Sequence, residues 1–222
     1  MSSLEKIRNL SIIAHIDAGK TSTTEGLLFH SGLSHRYGNI DDGTTTMDFL
    51  PDERARGITI AAAAATIPWK DYEFHLIDTP GHIDFTAEVE RSLRAIEGAV
   101  VIFSAVEGVE AQSEKVWRQA DKYHVAKIAF INKMDRIGAS FEQVIAQINA
   151  KFSDCALPMQ LPVGRESDFS AIIDILDGEL IRLSGEHGEQ IERSPLDENQ
   201  QKQRQEAFEK LIEKVGNFSD EI

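Results

Sequence analysis

With 222 residues, 41% apolar and 27% charged, the chain is long enough for one α/β domain plus part of a second, and its composition argues against disorder. Residues 1–15 mix charges with apolar side chains, and no run approaches the roughly 18 apolar residues of a membrane helix, which argues against a signal-peptide core and a membrane span. The formal net charge of −14 splits into 16 Lys/Arg against 22 acids over residues 1–160 and 7 against 15 over residues 161–222, so a boundary is expected near 160 and a nucleic-acid groove along the whole chain is not. The acidic end reads either as a solvated surface or as a docking face. Cys155 stands alone, which fits a reducing cytoplasm.

In chain order, β-branched and aromatic runs alternate with segments of helical period, the pattern of βαβ units around a mostly parallel sheet. A strand expected at Arg8–His15 leads to a helix at Lys20–His30. Residues 33–57 are polar, carry Gly and Thr, and show no clean period; so long a loop is functional or disordered. A hairpin is expected next, at Thr59–Trp69 and Tyr72–Asp78. Five alanines at Ala61–Ala65 favour helix by propensity. Ile58 and Ile60 before them, Ile67 and Trp69 after them, and the short link Lys70–Asp71 point instead to a strand. Helix Asp84–Ile96, strand Ala99–Ser104, helix Ala111–Tyr123, strand Lys127–Asn132 and helix Phe141–Phe152 follow. Past residue 160, Leu161–Gly164 and Ala171–Leu176 read as short strands and Gly178–Ser194 as turn-rich. Glu198–Val215 reads as an amphipathic helix with Phe208, Leu211, Ile212 and Val215 on one face. No internal repeat or low-complexity linker interrupts this order.

Residues 14–21 read Ala-His-Ile-Asp-Ala-Gly-Lys-Thr, between a strand and a helix, which is the context of a phosphate loop. Successive backbone N–H groups there form an anion nest, and the helix amino terminus adds its positive end. Lys20 would reach the outer phosphates and the Thr21 hydroxyl would hold Mg²⁺. Ala14 stands where the general pattern has Gly, though a small residue still lets the backbone close. Taken alone, the segment also reads as a chance Gly-Lys-Thr at a helix start.

Three more pieces follow in order. Asp78 closes the third strand and can bind Mg²⁺ directly or through water. Gly81 lets a backbone N–H approach a terminal phosphate, and His82 would lie beside an attacking water. Asp78 to Gly81 also reads as a plain tight turn. Thr59, at the end of the long loop, could complete the metal shell only with the terminal phosphate present, or could be an ordinary β-former. Asn132, Lys133 and Asp135 follow the fifth strand, where the Asp135 carboxylate can accept from the N1–H and 2-amino group of guanine while the Lys133 stem lies across the base. Adenine would face that carboxylate with a lone pair. Four such pieces in this order point to a guanine-nucleotide site.

The wording of residues 13–21, 56–60 and 77–85, extended by residues 88–93, 116–122, 132–136 and 160–164, resembles the translational GTPases, and within them the elongation factor G group. In that family Ala begins the phosphate loop, as Ala14 does here. The resemblance implies a P-loop NTPase fold, α/β with a mostly parallel central sheet flanked by helices. The GTP-binding domain would be residues 1–160, and residues 161–222 would be part of a mixed α/β inserted subdomain. It implies GTP/GDP and Mg²⁺ as cofactors. Asp17, Ala18, Gly19, Lys20, Thr21, Ser22 and Gly81 would surround the phosphates. Thr21, Thr59 and Asp78 would hold the metal, and Asn132, Lys133 and Asp135 the base. His82, with Lys20 and Thr59, would carry the catalysis, Ile16 and Ile58 flanking the His, as water attacks the γ-phosphate. The implied partner is the ribosome, through its large-subunit RNA loop and stalk protein, for a cytoplasmic monomer with no membrane contact.

The chain departs from that family in three places. A last guanine-contact loop is not found after residue 164, and Ser104-Ala105 stands at the wrong place for it. Nothing matches the later domains, so an amino-terminal fragment with weak or absent turnover is expected. Residues 49–55 differ from the usual switch wording, while residues 41–45 and 48–49 lean towards the second paralogue, some members of which act in ribosome recycling. Recycling and antibiotic-protection factors share these motifs and stay open beside translocation. A nucleotide-dependent ribosome-docking module without turnover stays open too. Asp135 argues against an adenine-nucleotide enzyme.

Overall fold

In the computed structural model, which describes residues 4–38, 63–78 and 93–217, the first apolar run forms β1 (Ile7–Ala14). Its last four residues are buried, so the strand runs into the core and delivers its carboxyl end there. β3 (Tyr72–Asp78) and β4 (Gly98–Ser104) pair with β1 in parallel, and β5 (Ala126–Asn132) extends the sheet in parallel beyond β4. β2 (Ala63–Trp69) closes the other edge, antiparallel to β3, giving the order β2-β3-β1-β4-β5. The four parallel strands therefore end along one side of the sheet, at Ala14, Asp78, Ser104 and Asn132. Ligands bind on that side in open α/β folds.

Helices α1 (Lys20–His30) and α2 (Ala111–Lys122) pack against this sheet. On α2 the buried residues Ser113, Trp117 and Ala120 recur at helical spacing, so one face serves the core. Trp117 lies beside Phe103, with ring centroids 6.2 Å apart, and the Lys127 ammonium sits 5.1 Å over its ring. The main core joins Ile12, Leu28, Ile67, Leu76 and Ile102 with Ala14 and Ala18. Each large aliphatic side chain buried in this way contributes about 1.5–3 kcal/mol. The alanines do form a strand from Ala63 onward, where pairing with β3 outweighs their helical propensity. Pro68 stands on that edge strand, where a missing N–H costs least. Residues 59–62, most of the long polar loop and residues 84–92 of an expected helix lie outside the described residues. Of that helix, Leu93 is helical and Ile96 is not.

The backbone divides after Lys133 into two units, Met1–Lys133 and Met134–Ile222. The second opens with α3 (Phe141–Lys151), whose Ser140 cap accepts a hydrogen bond from the Gln143 N–H. An antiparallel sheet follows: β6 (Gln160–Val163), β7 (Ala171–Asp174), β8 (Glu179–Ser184) and β9 (Gln190–Pro195), paired in that order. Ala171, Ile173, Leu180 and Leu196 form its core, with Leu161 and Val163 against them. α4 (Glu198–Gly216) starts with a capping box in which Asp197 and Gln200 satisfy each other's backbone N–H groups. Such a cap contributes about 1 kcal/mol.

Three expectations need correction in this unit. The segment read as turn-rich, Gly178–Ser194, is a hairpin of β8 and β9 in register from Glu179↔Pro195 to Ser184↔Gln190. β7 stops at Asp174 rather than Leu176, because the Asp174 carboxylate accepts from the Leu176 and Asp177 N–H groups and turns the chain. On α4, Leu211 is buried, but Ile212 is exposed and leaves the apolar face to Phe208, Leu211 and Val215. The architecture as a whole is the expected one, a mostly parallel sheet flanked by helices and then an antiparallel sheet. Among the described residues, no helix is long and apolar enough to cross a membrane.

Candidate nucleotide site

The loop between β1 and α1 owes its shape to two left-handed residues, Asp17 at φ 61° and Gly19 at φ 97°. Ala18 between them is fully buried in the core, so the loop is pinned at its middle while its backbone curls around it. Alternation of this kind turns consecutive N–H groups towards one point and makes an anion-binding concavity. Gly19 occupies the N-cap of α1 and brings no capping side chain, which suits an anion at the helix amino terminus. Lys20 and Thr21, the first residues of α1, are both buried polar residues. Thr23 and Thr24 turn their hydroxyls back onto the Gly19 and Lys20 carbonyls, at 2.9 and 3.1 Å. The Ser22 carbonyl accepts from the Tyr37 hydroxyl at 3.1 Å.

Asn132, at the carboxyl end of β5, braces this loop. Its Nδ2 donates to the Ala18 carbonyl at 2.9 Å, and its own carbonyl accepts from the Ala105 N–H at 2.8 Å. The approach is so close that a Cβ on Gly19 would overlap the Asn132 amide nitrogen. Lys133 follows in the left-handed region at φ 62°, with its ammonium 3.7 Å from the Glu107 carboxylate. Glu107 is itself set by a turn in which the buried Ser104 hydroxyl accepts from the Val106 and Glu107 N–H groups. Asp135 belongs to the second unit, where its carboxylate is 70% exposed and lies 3.8 Å from the Arg136 guanidinium. Asp78 is the last residue of β3, with its backbone in register with Ile12 of β1. Thr59, Gly81 and His82 lie outside the described residues, as does Ile58, while Ile16 is 42% exposed on the loop.

Sequence reasoning missed a second set of contacts behind the loop. His15 is 3% exposed, and its Nδ1 lies 3.0 Å from the Ser113 hydroxyl on α2. The next residue, Ile16, donates its N–H to the Gln112 side-chain oxygen at 3.1 Å. Burial holds the His15 imidazole below its ordinary titration range, against the opposing pull of the Glu110 and Glu107 carboxylates. Nothing local announces these pairs, because 98 and 96 residues separate their members.

The donor set suits the groups that the motifs imply. The missing Cβ at Gly19 leaves room for the Asn132 amide to brace the Ala18 carbonyl, and the left-handed backbone at Asp17 and Gly19 keeps the nest that suits a phosphate chain. The buried Thr21 offers a hard oxygen of the kind Mg²⁺ prefers. A loop of this construction, entering a helix from the central strand of a mostly parallel sheet, defines the phosphate-loop class of nucleotide-binding domains.

Residues 5–218 match the family model described as the elongation factor Tu GTP binding domain, and the chain belongs to that family of GTP-binding domains. It is 51% identical to elongation factor G 2 of Syntrophomonas wolfei and 49% identical to elongation factor G of Fervidobacterium nodosum, each over 219 residues and 99% of this chain. Each match covers 32% of the relative, so the chain spans about a third of the length of these curated relatives. A crystal structure of a Thermus thermophilus protein shares the fold, with a TM-score of 0.89 and 24% identity over 96% of this chain and 32% of that one. The resemblance read from the motifs is thus borne out at the level of family and fold.

Proposed function

We propose that the chain is the GTP-binding and GTP-hydrolysing part of a ribosomal elongation factor of the G type, acting in translocation. The observation that carries this reading is the phosphate loop held by Asn132, which joins it to a base-reading segment in a chain half identical to elongation factors G. The nucleotide domain runs to residue 160 and an inserted subdomain begins at 161. Asp17 to Ser22, with Gly81, surround the phosphates, and Lys20 sets its charge against the outer ones. Asn132, Lys133 and Asp135 hold guanine. Thr21, Thr59 and Asp78 hold Mg²⁺, which when bound neutralises charge on the phosphates. His82 orients the water that attacks the γ-phosphorus in line, with Lys20 and Thr59 beside it. The bond to the β-phosphate oxygen breaks, GDP departs, and the water's proton leaves with phosphate. The ribosome, through its large-subunit RNA loop and stalk protein, is the partner of a cytoplasmic monomer.

A competition titration with GDP, ADP and XDP in Mg²⁺, read by a fluorescent nucleotide, tests the base assignment. GDP should displace the reporter at concentrations at least about 100-fold below ADP, because adenine leaves a carboxylate unpaired. Equal displacement by ADP would overturn the reading. For His82→Ala, GDP affinity should stay within about twofold while ribosome-stimulated hydrolysis by the longer protein falls about 10²–10⁴-fold, the usual contribution of a positioned proton-transfer group. Single-turnover assays with ribosomes measure this, and unchanged turnover would remove His82 from the catalytic set.

A further inference from the structure

We infer that His15 is a positioning residue that, paired with Ser113, latches the phosphate loop to the first turn of α2 and so sets how firmly the loop holds phosphate. Two adjacent loop residues bond two adjacent helix residues: His15 Nδ1 with the Ser113 hydroxyl at 3.0 Å, and the Ile16 N–H with the Gln112 oxygen at 3.1 Å. His15 and Ser113 are 3% and 2% exposed, so water cannot readily replace either partner. α2 is a firm anchor, since Trp117 and Ala120 on the same face are buried. The latch lies just before Asp17 and Gly19, the left-handed residues whose backbone must be held for the nest to keep its shape. Asn132 holds the loop from the other side, at the Ala18 carbonyl. The loop is thus tied on both sides, to the first turn of α2 and to the carboxyl end of β5.

The ring is set up to work neutral. His15 Nε2 is buried with no hydrogen-bond partner among the described residues. An imidazolium must donate from both nitrogens, and the described residues offer an acceptor to Nδ1 alone. The neutral ring needs only the Ser113 contact, in which either group can donate. As a positioning pair, the latch acts on order in the loop rather than on chemistry.

The second half of this inference, the effect on phosphate, rests on the proposed nucleotide function; the first half does not, and the test separates them. Amide hydrogen exchange is measured without nucleotide on the wild-type chain, Ser113→Ala and Ser113→Thr. Exchange at Ile16 to Gly19 should rise at least about tenfold in Ser113→Ala and return to within about twofold in Ser113→Thr, which keeps the hydroxyl. Amides of β4 from Val101 to Phe103 should be unchanged. Loop exchange within about twofold of wild type, or a rise shared by β4, would overturn the latch, because the second pattern means general loosening. Dissociation of a fluorescent GDP should then be about 5–10-fold faster in Ser113→Ala and restored by Thr. Equal release rates alongside faster loop exchange would overturn the link to phosphate. A wild-type chain that binds no guanine nucleotide would instead count against the proposed function, with the exchange data still deciding the latch.

Discussion

Gly19→Ala should weaken guanine-nucleotide binding by about two orders of magnitude or more while leaving the fold intact. Two independent costs fall on the same atom. At φ 97° an L side chain is strained by about 1–2 kcal/mol. The new methyl would also overlap the Asn132 amide nitrogen and push it off the Ala18 carbonyl. Leaving a buried carbonyl unpaired costs about 1–3 kcal/mol. Together the penalties reach about 2–5 kcal/mol, and tenfold in affinity corresponds to about 1.4 kcal/mol. The alternative to bearing both is for the loop to open, which disperses the amides that would face phosphate. Calorimetric titration with GDP and Mg²⁺ checks the affinity, and a circular dichroism melt checks the fold. An affinity within about threefold of wild type would mean that the Gly19 conformation is not the one that binds.

The phosphate loop was legible because its chemistry is local. Residues 14–21 carry the small residues, the Lys and the Thr in one run, between an apolar strand and a helix. The parallel strands were legible for a similar reason, since buried strands such as β4 are continuous apolar runs. The β8–β9 hairpin was not. Its strands carry Arg182, Ser184, Gln190, Glu192, Arg193 and Ser194, and much of β9 is exposed, so neither alternation nor an apolar run marks it. What defines it is cross-strand pairing around a short turn with Gly185 and Gly188 at positive φ. The glycines were visible in the sequence, but the pairing they permit was not.

The contacts behind the loop were hidden for a different reason. His15 sits inside the very motif read as phosphate-binding, yet its partner Ser113 belongs to a helix whose sequence speaks only of amphipathic packing. Glu107 likewise looks like a turn residue until β4 and β5 pair and bring it to Lys133. Side chains that orient a site through other side chains leave no spacing to read. Their signal appears only once the sheet has ordered the strand ends.

Asp135→Asn should exchange the preferred base, lowering GDP affinity at least about 100-fold and raising XDP affinity by a similar factor. A carboxylate accepts two hydrogen bonds from guanine, at N1–H and the 2-amino group. The asparagine amide keeps one acceptor and turns the other into a donor. That donor faces the 2-amino group of guanine, leaving two donors opposed, but it matches the oxygen that xanthine carries at the same position. Each mismatched polar group at a desolvated edge costs about 1–3 kcal/mol, and more when a charge is involved. The substitution also removes the carboxylate beside Arg136, but that pair is 3.8 Å apart and about 70% exposed on both sides, so its loss is worth little. Stability should therefore change far less than base preference, and this separates a base-reading role from a structural one. The same competition titration, run with GDP and XDP on both forms, reads the outcome. Retained GDP preference in the variant would place guanine recognition elsewhere, and a parallel loss of both nucleotides would point to damage at the end of β5 rather than to lost base reading.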